Sequence, residues 1–200
     1  MKKMKAAVLE QYGKFVWKEV DVPEINTNEV LIKVSYAGIC GSDKHIFLGE
    51  FHPRTHVPFI PGHEFAGIIV KTGSDVKAYR QGDRVTVDPI IWCGTCPACQ
   101  IHHYPACTTL KLVGVDLDGG FSEYMKVPES MLYRITDGIS DKHAALIEVL
   151  SIGFHACNRS KVKENDQVVI WGAGKVGQSI LQAVRTKTRN TVILVDILDE

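Results

Sequence analysis

Four of the chain's six cysteines fall within "WCGTCPACQIHHYPAC", positions 92–107. Cys93, Cys96, Cys99 and Cys107 follow the spacing C-x2-C-x2-C-x7-C, with Gly94, Pro97 and Pro105 among them. A stretch so rich in turn residues is a loop. Four thiolates at such short separation close a tetrahedron around one Zn²⁺. That site has no open coordination position, so its role is structural. A redox pair within "CPACQ" and an iron–sulfur cluster are the alternatives. His102 and His103 read as polar loop residues rather than substitute ligands.

Disulfides need an oxidising compartment. The N-terminal "MKKMKAAVLEQYG" offers only "AAVL" before Glu10, too short for the apolar core of a signal peptide. No apolar run approaches transmembrane length. Lys and Arg number 23 against 23 Asp and Glu, which points to neither a nucleic-acid partner nor an anionic membrane surface. The chain reads as soluble and cytoplasmic, with its thiols reduced. Apolar residues make up 45% of the 200, enough for a sizeable core.

Short strands fill the first 130 residues. "EVLIKVSYAGIC" (29–40) alternates apolar and polar positions, as a half-buried strand does. "FAGIIVKTGSD" (65–75), "GDRVTVDPI" (82–90) and "GGFSEYMKVPE" (119–129) are apolar runs closed by turn residues. They predict an irregular antiparallel barrel or sandwich. Near residue 140 the texture changes. Ser140 can cap a helix from Asp141 to about Cys157, with Leu146, Val149, Leu150 and Phe154 as its apolar stripe. "RSKVKENDQ" then reads as a solvated linker. The expected division is 1–157, a linker at 158–165, and a new unit over 166–200.

That new unit opens on a continuous apolar run, as a parallel strand buried on both faces does. Gly172, Gly174 and Gly177 form G-x-G-x-x-G, with Lys175 and Val176 between the last two. Val176, Ile180, Leu181 and Val184 recur on one helical face, and a second apolar run, 192–195, ends at Asp196. Strand, glycine turn, helix, strand and acid are the context that makes the motif a dinucleotide fingerprint. Gly172 permits the tight turn, Gly174 lets amides approach a pyrophosphate, and Gly177 lets helix and strand pack closely. Asp196 can accept from both ribose hydroxyls and repels a 2′-phosphate, which favours NAD over NADP.

A second metal site is the next question. Cys40 in "GICGSDKH" and His63–Glu64 in "PGHE" offer a thiolate, an imidazole and a carboxylate. Mixed ligands with one open position suit a catalytic zinc. Glu148 in "LIEVLSIGF" is an acid among apolar neighbours, a position that favours pairing or metal binding. Taken singly, each residue also has an ordinary structural explanation.

Taken in order, "GICGSDKH", "PGHE", the four-cysteine loop and the glycine fingerprint resemble the zinc-dependent medium-chain alcohol and polyol dehydrogenases, over essentially the whole chain. The resemblance implies an α/β plus β architecture: a GroES-like irregular β-barrel catalytic domain, then the start of a Rossmann domain. It implies two Zn²⁺ per chain, one structural and one catalytic, and NAD as cofactor. "EVLSIGFHAC" resembles the sorbitol dehydrogenase branch, with Val149 where that branch usually has proline. The implied substrate is a small polyol or other secondary alcohol. L-threonine 3-dehydrogenases and butanediol dehydrogenases remain alternatives, as does a non-catalytic zinc-stabilised module; a zinc-free quinone reductase fits the cysteine loop poorly. The resemblance also implies a homo-oligomer, dimer or tetramer.

By the same resemblance, Cys40, His63, Glu64 and Glu148 serve the catalytic zinc, the two glutamates as direct or water-mediated partners. Ser42 matches the family's relay hydroxyl and His45 its exit to solvent. Zinc lowers the pKa of a substrate hydroxyl, and NAD accepts the hydride. A full dinucleotide fold has about six strands, of which only the first strand–helix–strand is legible. The chain therefore reads as a portion of a longer enzyme, inactive alone and poorly folded beyond residue 165.

Overall fold

The computed structural model describes residues 2–198. It divides into two compact units, Met1–Ala145 and Leu146–Glu200.

The first unit is built on antiparallel sheet. Strands β1 (Lys3–Gln11) and β2 (Lys14–Asp21) form a hairpin. Strands β3 (Glu29–Gly38), β4 (Glu64–Thr72) and β5 (Arg84–Val87) lie side by side, as the runs of β-branched residues lead one to expect. A seven-residue helix, α1 (Gly41–Phe47), follows β3. Further on come β6 (Ile90–Ile91), the four-residue α2 (Pro97–Gln100) and β7 (Lys111–Leu112), with β6 and β7 pairing as a small ribbon around the cysteine loop. Strands β8 (Tyr124–Pro128) and β9 (Leu132–Arg134) complete a five-stranded sheet in the order β8-β3-β4-β5-β9, and α3 (Asp141–Ala144) closes the unit. Phe65, Ile32, Ile69, Val85, Val127 and Met131 form its main core.

The clean alternation expected of β3 is not what forms. Val30, Leu31 and Ile32 are all buried, whereas Tyr36 and Ala37 are exposed. Register shifts at Leu31/Ile32 and Val34/Tyr36 break the period of two. A bulge puts two residues opposite one and resets which face each side chain meets.

The single helix expected from Asp141 to Cys157 is two helices. Ser140 does cap α3, its hydroxyl accepting the His143 N–H at 3.3 Å. The chain then breaks at Ala145–Leu146, and α4 (Ile147–Ser160) begins the second unit. The division therefore falls at 145/146 rather than at 157. Of the expected stripe Leu146, Val149, Leu150 and Phe154, only Val149 is buried; the buried face of α4 is Val149, Gly153 and Cys157, and Leu146 and Phe154 are 39% and 41% exposed. Small residues recur every fourth position on that face, so α4 packs closely against α5 (Lys175–Arg185). A side chain at Gly153 would overlap the Ser179 backbone.

The expected linker at 158–165 is displaced: its first residues belong to α4, and the next strand begins only at Val168. Helix α4 runs to Ser160, and Lys161 ends it in the left-handed region. The buried Thr188 hydroxyl bonds the Glu164 and Asp166 carbonyls at 2.9 and 2.8 Å. Beyond it, β10 (Val168–Trp171) and β11 (Val192–Val195) pair in parallel on either side of α5 in sequence. The α4–α5 contact supplies a local core of Cys157, Ala183 and Val184, with Val162, Ile180 and Val192 against it. Among the described residues no helix is long and apolar enough to cross a membrane.

Candidate functional site

The end of β3, the start of β4 and helix α1 converge on one cluster. Gly38 pairs with Glu64 across β3 and β4. A Cβ on Gly38 would overlap Glu64 Oε2, so the carboxylate occupies the space a side chain would take. Cys40 is the N-cap of α1, and its N–H donates to Asp43 Oδ2 at 2.7 Å. His63 and Glu64 are buried, 5% and 0% exposed, while Cys40 keeps partial exposure. The donor atoms of Cys40, His63 and Glu64 all lie within 4.8 Å of one another. Hydrogen bonding to His63 leads in holding the Cys40 thiol below its ordinary pKa, opposed by burial and assisted by Ser42. One sulfur, one nitrogen and one oxygen in a largely buried setting fit a zinc ion with an open position.

Asp43 is not among the candidate site residues that the sequence singles out, yet it serves the cluster in two ways. Besides capping Cys40, this buried aspartate places Oδ1 at 3.8 Å from His63 Nδ1. That separation is beyond hydrogen-bond reach, so the carboxylate acts on the imidazole through its charge. The available signal was the C-x-x-D spacing, which puts an N3 acid over its own N-cap. His45 lies on the same helix with its side chain 54% exposed. Glu148 lies in the first turn of α4, in the second unit. Its assignment to the zinc rests on sequence alone.

The four-cysteine loop closes as its spacing implies. The sulfurs of Cys93, Cys96, Cys99 and Cys107 lie within 4.8 Å of one another. Cys93 Sγ is 3.9 Å from Cys99 Sγ and 3.6 Å from Cys107 Sγ, far beyond a disulfide bond. Backbone amides point at the sulfurs: Cys96 N–H at Cys93 Sγ and Cys93 N–H at Cys107 Sγ, both 3.3 Å. The Thr95 amide leads in lowering the Cys93 thiol to about 5, and the Thr108 amide leads in lowering Cys96. Burial pushes Cys99 up to about 12. Amides that favour thiolate, beside a sulfur too buried to ionise alone, fit a cation at the centre. Outside the cage, Trp92 stacks on Tyr104 at 4.4 Å, and the Tyr104 hydroxyl meets His102 Nδ1 at 2.7 Å. His102 is therefore a loop-packing residue.

In the second unit the glycine turn joins β10 to α5. Gly172 has φ +97°, Gly174 caps α5 with open space around it, and a Cβ on Gly177 would overlap the Gly172 carbonyl. Lys175, Val176 and Gly177 form the first turn of α5. Asp196, just past β11, accepts the Ala173, Ile197 and Leu198 amides at 2.6, 2.7 and 3.1 Å. The Ala173 amide leads in lowering its pKa. Its oxygens retain lone pairs for further donors.

A five-stranded barrel sheet holding a Cys–His–Glu cluster, a four-thiol cage and a βαβ glycine turn together define a dehydrogenase-type zinc protein. The alcohol dehydrogenase GroES-like domain family matches residues 26–137. The chain belongs to that family, as a polyol-dehydrogenase-like member of the zinc-dependent medium-chain dehydrogenases. It is 38% identical to the sorbitol dehydrogenase of Bacillus subtilis strain 168, over 97% of this chain and 56% of that protein. A zinc-binding dehydrogenase of Sinorhizobium meliloti 1021, solved bound to NADP, superposes with a TM-score of 0.92 at 38% identity, covering 97% of this chain and 56% of that one. The rspB alcohol dehydrogenase of Escherichia coli CFT073, solved with NADH, gives 0.91 at 38% identity, covering 100% and 58%. The chain spans 56–58% of the length of the first curated relatives it matches.

Proposed function

We propose that this chain carries the zinc-binding part and the adenosine-binding turn of an NAD-dependent dehydrogenase. Its reaction is oxidation of a secondary hydroxyl of a polyol or sugar alcohol to a ketone. The observation that carries this reading is the approach of the Cys40, His63 and Glu64 donor atoms to within 4.8 Å. Those residues would hold the catalytic zinc, with Glu148 assigned as a further carboxylate by resemblance. Cys93, Cys96, Cys99 and Cys107 would hold a second, structural ion.

Bound zinc supplies Lewis acidity that lowers the pKa of an alcohol hydroxyl, and NAD supplies the hydride acceptor. The remaining work falls to the chain. Asp43 holds the Cys40 backbone and sets its negative charge beside His63. Ser42, beside Cys40 on α1, receives the hydroxyl proton and passes it towards His45, whose exposure opens a path to water. The Lys175, Val176 and Gly177 amides would face the pyrophosphate. Asp196 would accept the ribose hydroxyls, and its charge would repel a 2′-phosphate. The working enzyme is proposed to be a cytoplasmic homo-oligomer.

The test is NAD reduction by the zinc-loaded enzyme with sorbitol, xylitol, an inositol, butanediol and threonine in parallel. Turnover of a polyol, lost in Cys40→Ala, is the expected result. Turnover of threonine or butanediol alone would move the substrate assignment to those alternatives. Undiminished activity in Cys40→Ala would overturn the zinc mechanism.

A further inference from the structure

Helix α1 stops in a way that is built around His45. Its C-cap is Leu48, and Gly49 follows at φ +81°. The Gly49 N–H donates to the Ile46 carbonyl at 3.0 Å, and the Glu50 N–H donates to the His45 carbonyl at 2.9 Å. These two bonds are the Schellman pattern, which turns the chain back over the last helical turn. Gly49 is fixed there on two counts. Its φ excludes an ordinary side chain, and a Cβ would meet the Tyr12 ring at 3.0–3.4 Å. Tyr12 is itself anchored, its hydroxyl donating to the Thr55 carbonyl at 2.7 Å.

The turn delivers Glu50 to His45. Glu50 Oε2 lies 2.5 Å from His45 Nδ1. Residues five apart do not face each other along a regular helix, so the contact exists only because the helix ends in this motif. An ionised carboxylate is acceptor-only, so the proton of a neutral His45 sits on Nδ1. Nε2 is then left with its lone pair available.

We propose that Glu50 is a positioning residue for His45, holding the imidazole in the Nδ1-protonated tautomer and so presenting Nε2 as the proton acceptor of the relay. This inference rests on the reading of His45 as the relay's exit. Both side chains are 54% exposed, so water screens their charge attraction. Tautomer choice survives that screening, because it depends on which nitrogen has an acceptor within reach.

The test begins with ¹⁵N-histidine NMR of the metal-free chain, His45 being assigned by its loss in His45→Gln. Wild type should show neutral His45 protonated at Nδ1. Glu50→Ala should shift it towards the Nε2-protonated form that unconstrained imidazole prefers. Glu50→Gln, which retains an oxygen acceptor, should restore the wild-type signature. In the zinc- and NAD-loaded enzyme, Glu50→Ala should lower kcat/KM about tenfold, the lower end of losses on removing an orienting partner, with KM for NAD unchanged and Glu50→Gln recovering most of it. An unchanged His45 tautomer in Glu50→Ala overturns the proposal. Full activity in His45→Gln would instead overturn the relay reading itself. A slowed His45→Gln beside a wild-type rate in Glu50→Ala would overturn the role of Glu50 alone.

Discussion

Gly62, next to the proposed ligand His63, can be tested in magnitude. It has φ +100°, and a Cβ there would lie 2.5 Å from Phe121 Cδ1 and 2.8 Å from Cε1. Ordinary contact begins at 3.4 Å, so the Phe121 ring would have to withdraw by 3.4 − 2.5 = 0.9 Å. Phe121 packs against Ala6, Val8 and Ile60 and bonds its backbone to Pro61, so little slack exists. Gly62→Ala should therefore cost about 1–2 kcal/mol for backbone conformation and about 1–3 kcal/mol for overpacking. Gly82 separates the two effects, because it has φ +93° with nothing within 4 Å. Gly82→Ala should show the conformational part only. The assay is thermal unfolding of both variants with zinc counted per chain. At about 2–4 °C per kcal/mol, Gly62→Ala should melt measurably below Gly82→Ala and lose one zinc, while Gly82→Ala keeps both. Equal melting temperatures with full zinc in Gly62→Ala would refute the packing argument and the link from Gly62 to His63.

Other perturbations have equally definite expectations. Gly177→Ala should abolish NAD binding without unfolding the first unit, because its Cβ would overlap the Gly172 carbonyl; wild-type affinity by calorimetry would refute the assignment of the turn. Asp196→Ala should relax the preference for NAD over NADP and also loosen the turn, since it removes the acceptor of the Ala173 amide; an unchanged ratio of the two kcat/KM values would remove Asp196 from the cofactor site. The Arg54 fork on Asp116, with two bonds of 2.8 Å, holds the Asp116 carboxyl below its ordinary value. A lowered carboxylate stabilises the fold above its unfolded pKa, and that contribution vanishes as pH falls through the lowered folded value. The stability gap between wild type and Arg54→Met, followed by thermal unfolding, should therefore be present at pH 7, amount to no more than about 1 kcal/mol for so exposed a guanidinium, and close as pH falls below the ordinary carboxylate range; a gap that widens in acid would contradict the assignment.

Much of this was legible in the sequence, for physical reasons that differ by segment. The cysteine cage needs nothing beyond local spacing, since all four thiols lie on one loop. The glycine turn is likewise local, with β10, α5 and Asp196 within one βαβ unit. The Cys40–His63–Glu64 cluster is different: Cys40 and the His63–Glu64 pair are brought together only by the β3–β4 register. Asp43 was hidden because its cap role and its place behind His63 use the same side chain. The α4 boundary was misplaced because apolar bulk at Leu146 and Phe154 drew attention from the small face at Gly153 and Cys157. Burial of that face depends on α5, a partner that appears later in the chain.

A zinc-edge anomalous difference map from crystals of the protein bears most directly on the proposed metal centre. Two peaks per chain are expected, one among the Cys93, Cys96, Cys99 and Cys107 sulfurs and one bounded by Cys40, His63 and Glu64. A single peak confined to the four-cysteine loop, in zinc-replete crystals, would contradict the reading of Cys40, His63 and Glu64 as a metal centre.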